Sequence, residues 1–218
     1  MYNLLRKDLK IGVHPMFFLF PLLMGALMLI PGWIYFIVLL YFCWITVPNI
    51  FYGFRSQNDL MFTAMMPVSK KDMVKARISV IVILELLHIV IAMLYGLITT
   101  RLYTNIDYYF FKPSPGFWGL CFVMLAIFNL TLIPMYYKTA YKFGSALIVS
   151  ITSAMLFAVA AQWLGIQNTK MSEIFNVTVG DHMALHSSIL IAGIAIFIAF
   201  TWIAYRMAFK RFLKVEIQ

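Results

Sequence analysis

Between Arg77 and Arg101 the chain runs for 23 residues, Ile78 to Thr100, with one charged side chain, Glu85. As a helix that run reaches about 35 Å, enough to cross about 30 Å of hydrocarbon. Comparable apolar runs recur along the whole chain. Of its 218 residues 63% are hydrophobic and 11% are charged, and the mean hydropathy is +0.90. An ordinary soluble domain is nearer half apolar and a quarter charged. One soluble core of this size cannot hide so much apolar surface. The runs are continuous rather than alternating, so the fold class is an all-α membrane protein and not a barrel.

Six transmembrane helices are predicted, at about residues 16–30, 33–52, 78–100, 117–136, 144–166 and 184–205. The whole chain, 1–218, reads as a single transmembrane domain. The first span is short and carries Pro21, so it is expected to be tilted or kinked. Pro48 and Pro134 mark possible bends in the second and fourth spans. Arg6, Lys7 and Lys10 ahead of the first run imitate a signal peptide. No A-x-A-like cleavage site follows, and the run is read as an uncleaved span. Residues 1–15, with Leu4, Leu5, Leu9 and Val13 at helical spacing among basic residues, suit an amphipathic interfacial helix.

Charge sets the orientation. With both termini cytoplasmic, the inner segments hold Arg6, Lys7, Lys10, Arg55, Lys70, Lys71, Lys75, Arg77, Lys138, Lys142, Arg206, Lys210, Arg211 and Lys214. That is 14 of 17 basic residues, and only Arg101, Lys112 and Lys170 fall outside, the bias seen across cytoplasmic loops. Residues 206–218 are then a cytoplasmic basic tail. The net charge of +9 is explained by anionic lipid, and no nucleic-acid-binding motif accompanies it. Cys43 and Cys121 lie in apolar runs, form no CxxC, and read as small buried residues.

Few groups suggest chemistry. Glu85 and His88 share a face of the third span and, with Asn129 of the fourth, could line a translocation path or fix helix packing. His182 and His186 stand at i, i+4 beside Asp181, yet DHMALH lacks the internal Glu of HExxH and shows no third ligand. No metal is expected there, and Asp181 reads as a helix cap. The tripeptide Asn176-Val177-Thr178 matches a glycosylation sequon, a pattern common by chance. No Walker sequence or other nucleotide fingerprint is present, so the chain is expected to be neither an ATPase nor any other enzyme and to hold no cofactor.

The polar interval at 54–77, RSQNDLMFTAMMPVSKKDMVKAR from Arg55, is patterned. Asp59 is expected to cap a short apolar helix through Leu60, Met61, Phe62, Met65 and Met66, which Pro67 ends. Ser69 is expected to cap a second helix that carries Lys70 and Lys71 and runs into the third span. Methionine and phenylalanine on a short helix outside the bilayer suit either a lipid surface or a groove on a partner.

This order of residues, Asp59 to Met66 followed by PVSKKDMVKAR, resembles the loop of small ABC type-2 permeases, and the opening LLRKDLK, Leu4 to Lys10, resembles their start. Leucine is usual before the proline, where this chain has Met66. The resemblance implies a bacterial-type cell-membrane permease of an ATP-driven exporter. It implies a coupling helix between spans 2 and 3 that seats on a separate ABC ATPase, which would hold the ATP and Mg. Asp59, Leu60, Phe62, Met65, Met66, Lys70 and Lys71 would form that contact, with a secondary one at Lys138–Lys142. It further implies pairing with a second permease, as a homodimer or paralogous heterodimer, and amphipathic or hydrophobic peptides of toxin or antimicrobial type as substrate. Two other classes compete: an ion- or proton-coupled carrier using Glu85, and an immunity protein that binds toxin in the membrane without moving it.

Overall fold

The computed structural model describes residues 2–104, 106, 108–139, 142–176 and 183–215. It is helical, with no strand among the described residues. Helix α1 (Tyr2–Lys7) passes into a π turn (Asp8–Gly12). Helix α2 (Met16–Gly25) ends in a 3-10 turn (Ala26–Leu29). Helices α3 (Phe36–Tyr41) and α4 (Val47–Ser56) are joined through a π turn (Phe42–Thr46) into one rod, Phe36–Ser56. Then come the short α5 (Asp59–Ala64), the long α6 (Lys70–Leu102), α7 (Pro115–Thr139), α8 (Gly144–Gln167), the short α9 (Thr169–Asn176) and α10 (Met183–Phe212).

Five of these rods, Phe36–Ser56, α6, α7, α8 and α10, are long and apolar enough to cross a membrane. The first predicted span is the exception. Its 14 helical residues, Met16–Leu29, reach only about 21 Å, shorter than the hydrocarbon. The chain turns back at Pro31-Gly32, where Gly32 takes φ 72°, open to glycine without penalty. Tyr35 closes the corner by donating its hydroxyl to the Ile30 carbonyl, 3.0 Å.

Successive rods alternate in direction, as contacts at their ends establish. At one end Lys7 meets Asp59, Lys70 donates to the Val215 carbonyl (2.9 Å), Arg211 to the Pro134 carbonyl (2.7 Å), and Phe51 stacks near Tyr136 and Phe143. The first and last described segments therefore share an end. At the other end Thr99 donates to the Met28 carbonyl (2.6 Å) and Phe111 lies on Phe175. The expected interfacial helix at 1–15 is buried on one side against this bundle, with Leu4 and Val13 enclosed. Most of the predicted tail at 206–218 continues α10 as helix to Phe212.

The π turn has a local cause. Pro48 has no N–H to offer the preceding turn, so the helix widens there. One residue on, the Asn49 side chain donates through Nδ2 to the Ile45 carbonyl, 2.7 Å. Helices α7 and α10 pack backbone to backbone. A Cβ on Gly119 would strike the Ile189 carbonyl, and one on Gly193 would strike the Gly119 carbonyl. Small residues at a crossing let two membrane helices approach closely. Helices α8 and α10 leave most of their apolar surface outside the bundle.

Candidate functional site: the loop end of the bundle

Helix α5 is set by three sequence features. Asn58 adopts the left-handed region (φ 48°, ψ 33°), which asparagine tolerates, and reverses the chain after α4. Pro67 lies three residues beyond Ala64, and the helix stops two residues short of the predicted Met66. Ser69 then begins α6. Its hydroxyl oxygen accepts from the Asp72 N–H at 3.1 Å and its O–H donates to the Asp72 carboxylate at 2.8 Å. Such a cap is worth about 1 kcal/mol.

Asp59 does not cap α5, because no side-chain hydrogen bond closes that helix start. It points inward. Lys7 Nζ reaches Asp59 Oδ1 at 2.6 Å, Thr63 Oγ1 at 2.7 Å and Asp8 Oδ1 at 3.1 Å. Arg77 pairs with Asp59 Oδ2 through its terminal nitrogen and with Asp8 Oδ2 through Nε at 3.3 Å. The Arg77 guanidinium also lies 3.2 Å from the centre of the Phe54 ring. Two cations thus balance two carboxylates, and the cluster joins α1, α4, α5 and α6. Asp59 and Thr63, one turn apart, are the anchored face of α5.

The opposite face of α5 is open. Met61, Phe62 and Met65 are 46%, 60% and 74% exposed. Leu60 and Met66 are half-buried against the core. Lys70 is drawn away toward the C-terminal segment, over the Phe212 ring at 5.6 Å, whereas Lys71 is exposed. The predicted contact set therefore divides into an anchor (Asp59), a packed edge (Leu60, Met66), an open apolar face (Phe62, Met65), a basic residue held by the tail (Lys70) and a free one (Lys71). Of the predicted secondary link, Lys138 and Lys142 are exposed.

Lys7, Asp8, Thr63 and Arg77 had no predicted role as a cluster. Asp8 gave one signal: it stands four residues after Leu4, so a carboxylate sits on the apolar stripe of the first helix.

Within the bundle Glu85, His88 and Asn129 have essentially no exposed surface. Asn129 Nδ2 donates to Glu85 Oε2 at 2.8 Å and lies 3.4 Å from Thr201 Oγ1, which links α6, α7 and α10. His88 instead donates through Nε2 to the Val38 carbonyl at 3.0 Å, with its ring 5.7 Å from Phe42. The predicted Glu85–His88 face is shared, but its two members engage different helices. The Glu85 variants give a direct test. Glu85→Gln keeps an acceptor for Asn129 and is expected to hold the thermal midpoint within about 3 °C. Glu85→Leu strands the buried amide and should cost about 1–3 kcal/mol. Equal midpoints in a melt of the two purified variants would exclude a packing role for this pair.

At the far end His186 is buried, and both ring nitrogens are engaged. Nδ1 accepts from the Gly116 N–H at 3.2 Å, and Nε2 donates to the Ile174 carbonyl at 2.9 Å. The ring ties α7, α9 and α10 together and has no nitrogen left for a metal. Asp181, His182 and the Val177-Thr178 part of the sequon lie outside the described residues. Among the described residues no group of three metal-ligating side chains occurs. Helix α9 was not predicted, although Met171, Ile174 and Phe175 already carry helical spacing.

No curated protein and no solved structure matches the chain. The family model described as "ABC-2 family transporter protein" matches residues 3–212. That match takes in α1, the anchored α5 and every long rod, so this multi-pass membrane chain belongs to the ABC-2 transporter family and is a permease subunit.

Proposed function

We propose that this permease is the membrane half of an ATP-driven exporter that crosses the bilayer six times with both ends in the cytosol. The observation that carries the reading is α5: one face is fixed by ion pairs to α1 and α6, and the other presents Met61, Phe62 and Met65 outward. A short apolar face held rigidly outside the long rods suits a groove on a separate ATPase subunit. The sidedness rests on the 14 basic residues gathered at the end where α5 lies. ATP and Mg2+ belong to the partner. Closure of two ATPases would displace α5, and the ion cluster would pass that displacement to α1 and α6.

The unburied apolar faces of α8 and α10 support pairing with a second permease, of the same chain or a sibling. An apolar cleft of about 360 Å³ between α3 and α8, lined by Leu40, Trp44, Met155 and Trp163, supports amphipathic or hydrophobic peptides as substrate. Both features fit the exporter better than an ion carrier, since Glu85 is sealed between helices.

The double variant Phe62→Asp, Met65→Asp puts two charges on the open face of α5. It is expected to lower ATPase co-purification at least tenfold and to abolish ATP-dependent transport, while the permease alone melts as the parent does. Undiminished co-purification would refute α5 as the docking element.

A further inference from the structure

At the same end of the bundle a groove of about 640 Å³ opens between α6 and α10. Its mouth is basic, formed by Lys71 and Lys75, one turn apart on α6, and Arg206 on α10. None of the three makes an ion pair within the described residues, and no carboxylate lines the groove. Arg206 is held at the mouth by Trp202, with its guanidinium 4.9 Å from the ring centre. Deeper in, the walls are Ile78, Val82 and Phe197, with Thr201, which lies beside Asn129, between the mouth and Phe197.

The charge pattern and the apolar wall select the occupant. Below the cations, from Lys75 to Val82, the groove runs 7 helical steps, about 10 Å, within the depth of one bilayer leaflet of about 15 Å. A cationic mouth above an apolar trough complements a phosphodiester joined to the first part of an acyl chain. Basic pockets between membrane helices on the cytoplasmic side have the chemistry for anionic headgroups. A soluble phosphate would leave the trough empty, and a zwitterionic lipid would bring a fourth cation beside the three.

We infer that the α6–α10 groove is a binding site for one anionic glycerophospholipid of the cytoplasmic leaflet, with its phosphate at Lys71, Lys75 and Arg206 and one chain along Ile78, Val82 and Phe197. The lipid would bridge α10 to the helix that follows α5. Lys71 belongs to both the groove mouth and the predicted contact set, but lipid retention is read on the permease alone and so stands whether or not an ATPase docks on α5.

The test is native mass spectrometry of the full purified chain titrated with dioleoylphosphatidylglycerol or dioleoylphosphatidylcholine. The parent should retain one phosphatidylglycerol with at least tenfold preference over phosphatidylcholine, and inorganic phosphate at millimolar level should not displace it. Lys71→Gln, Lys75→Gln, Arg206→Gln together should erase that preference, whereas Lys210→Gln, Lys214→Gln should leave it within twofold. Val82→Trp keeps all three cations and fills the trough, so it should also weaken retention severalfold. It covers the case in which the triple variant does not fold. Equal binding of the two lipids, or full retention by Val82→Trp, would overturn the assignment in favour of diffuse surface attraction. Loss of a dimer peak in the variants without any change in lipid retention would overturn it in favour of a second copy in the groove.

Discussion

Arg77→Ala is expected to lower the thermal midpoint of the purified permease by about 10 °C and to loosen α5. Arg77 is buried and serves Asp8 and Asp59 together. Its removal leaves two carboxylates facing Lys7 alone. Breaking a buried ion pair from one side costs about 3–5 kcal/mol, mostly because the surviving partner stays desolvated. For a chain of this size each kcal/mol is worth about 2–4 °C. Arg77→Lys retains charge but cannot span both carboxylates or lie flat on Phe54, so its midpoint should fall between the two. Limited proteolysis at the 54–77 loop should accelerate in the same order. An unchanged midpoint in Arg77→Ala would show that the cluster contributes only surface-type pairs, which are worth little.

The second large effect is expected at the α7–α10 crossing. Gly193→Leu places a side chain where even a Cβ meets the Gly119 carbonyl. The obstacle is backbone on both sides, so neither helix can yield by rotating a side chain. Overpacking of this kind costs about 3 kcal/mol or more. The variant should be recovered in low yield and melt well below the parent. Gly144→Ala is the matched control: a Cβ there meets nothing within 4 Å, and its melt should superimpose on the parent's. A parent-like melt for Gly193→Leu would mean that the two helices do not cross at this point.

The long rods were legible because their signal is local and continuous. The run from Ile78 to Thr100 announces a span by itself, and the Ser69 cap with Asp72 three residues later fixes where its helix begins. The end contacts show the rods alternating in direction, whereas which end faces the cytosol is read from the placement of Lys and Arg alone. The ion cluster was illegible for the opposite reason. Lys7 and Asp59 are 52 residues apart and Arg77 another 18 beyond, so nothing in a window reveals the pairing. Within a local window an aspartate at a helix start reads as a cap, which is why Asp59 is expected to be one. His186 was hidden in another way: both of its partners are backbone atoms, and no side-chain pattern encodes them. The tie of the first helix to the bundle is equally non-local: Asp8 pairs with Arg77, 69 residues away.

One contrast in the helices flanking α5 has a mechanical consequence. Helix α6 is 33 residues of uninterrupted α-helix, about 50 Å long. A tilt of about 5° at its Lys70 end swings its Leu102 end by about 4 Å. The rod on the other side, Phe36–Ser56, is broken in its middle by the π turn and Pro48. If the partner docks at α5 as proposed, a force entering there would meet a stiff beam on one side and a jointed strut on the other. Displacement would then travel along α6, while the second rod would take up the mismatch at Phe42–Thr46.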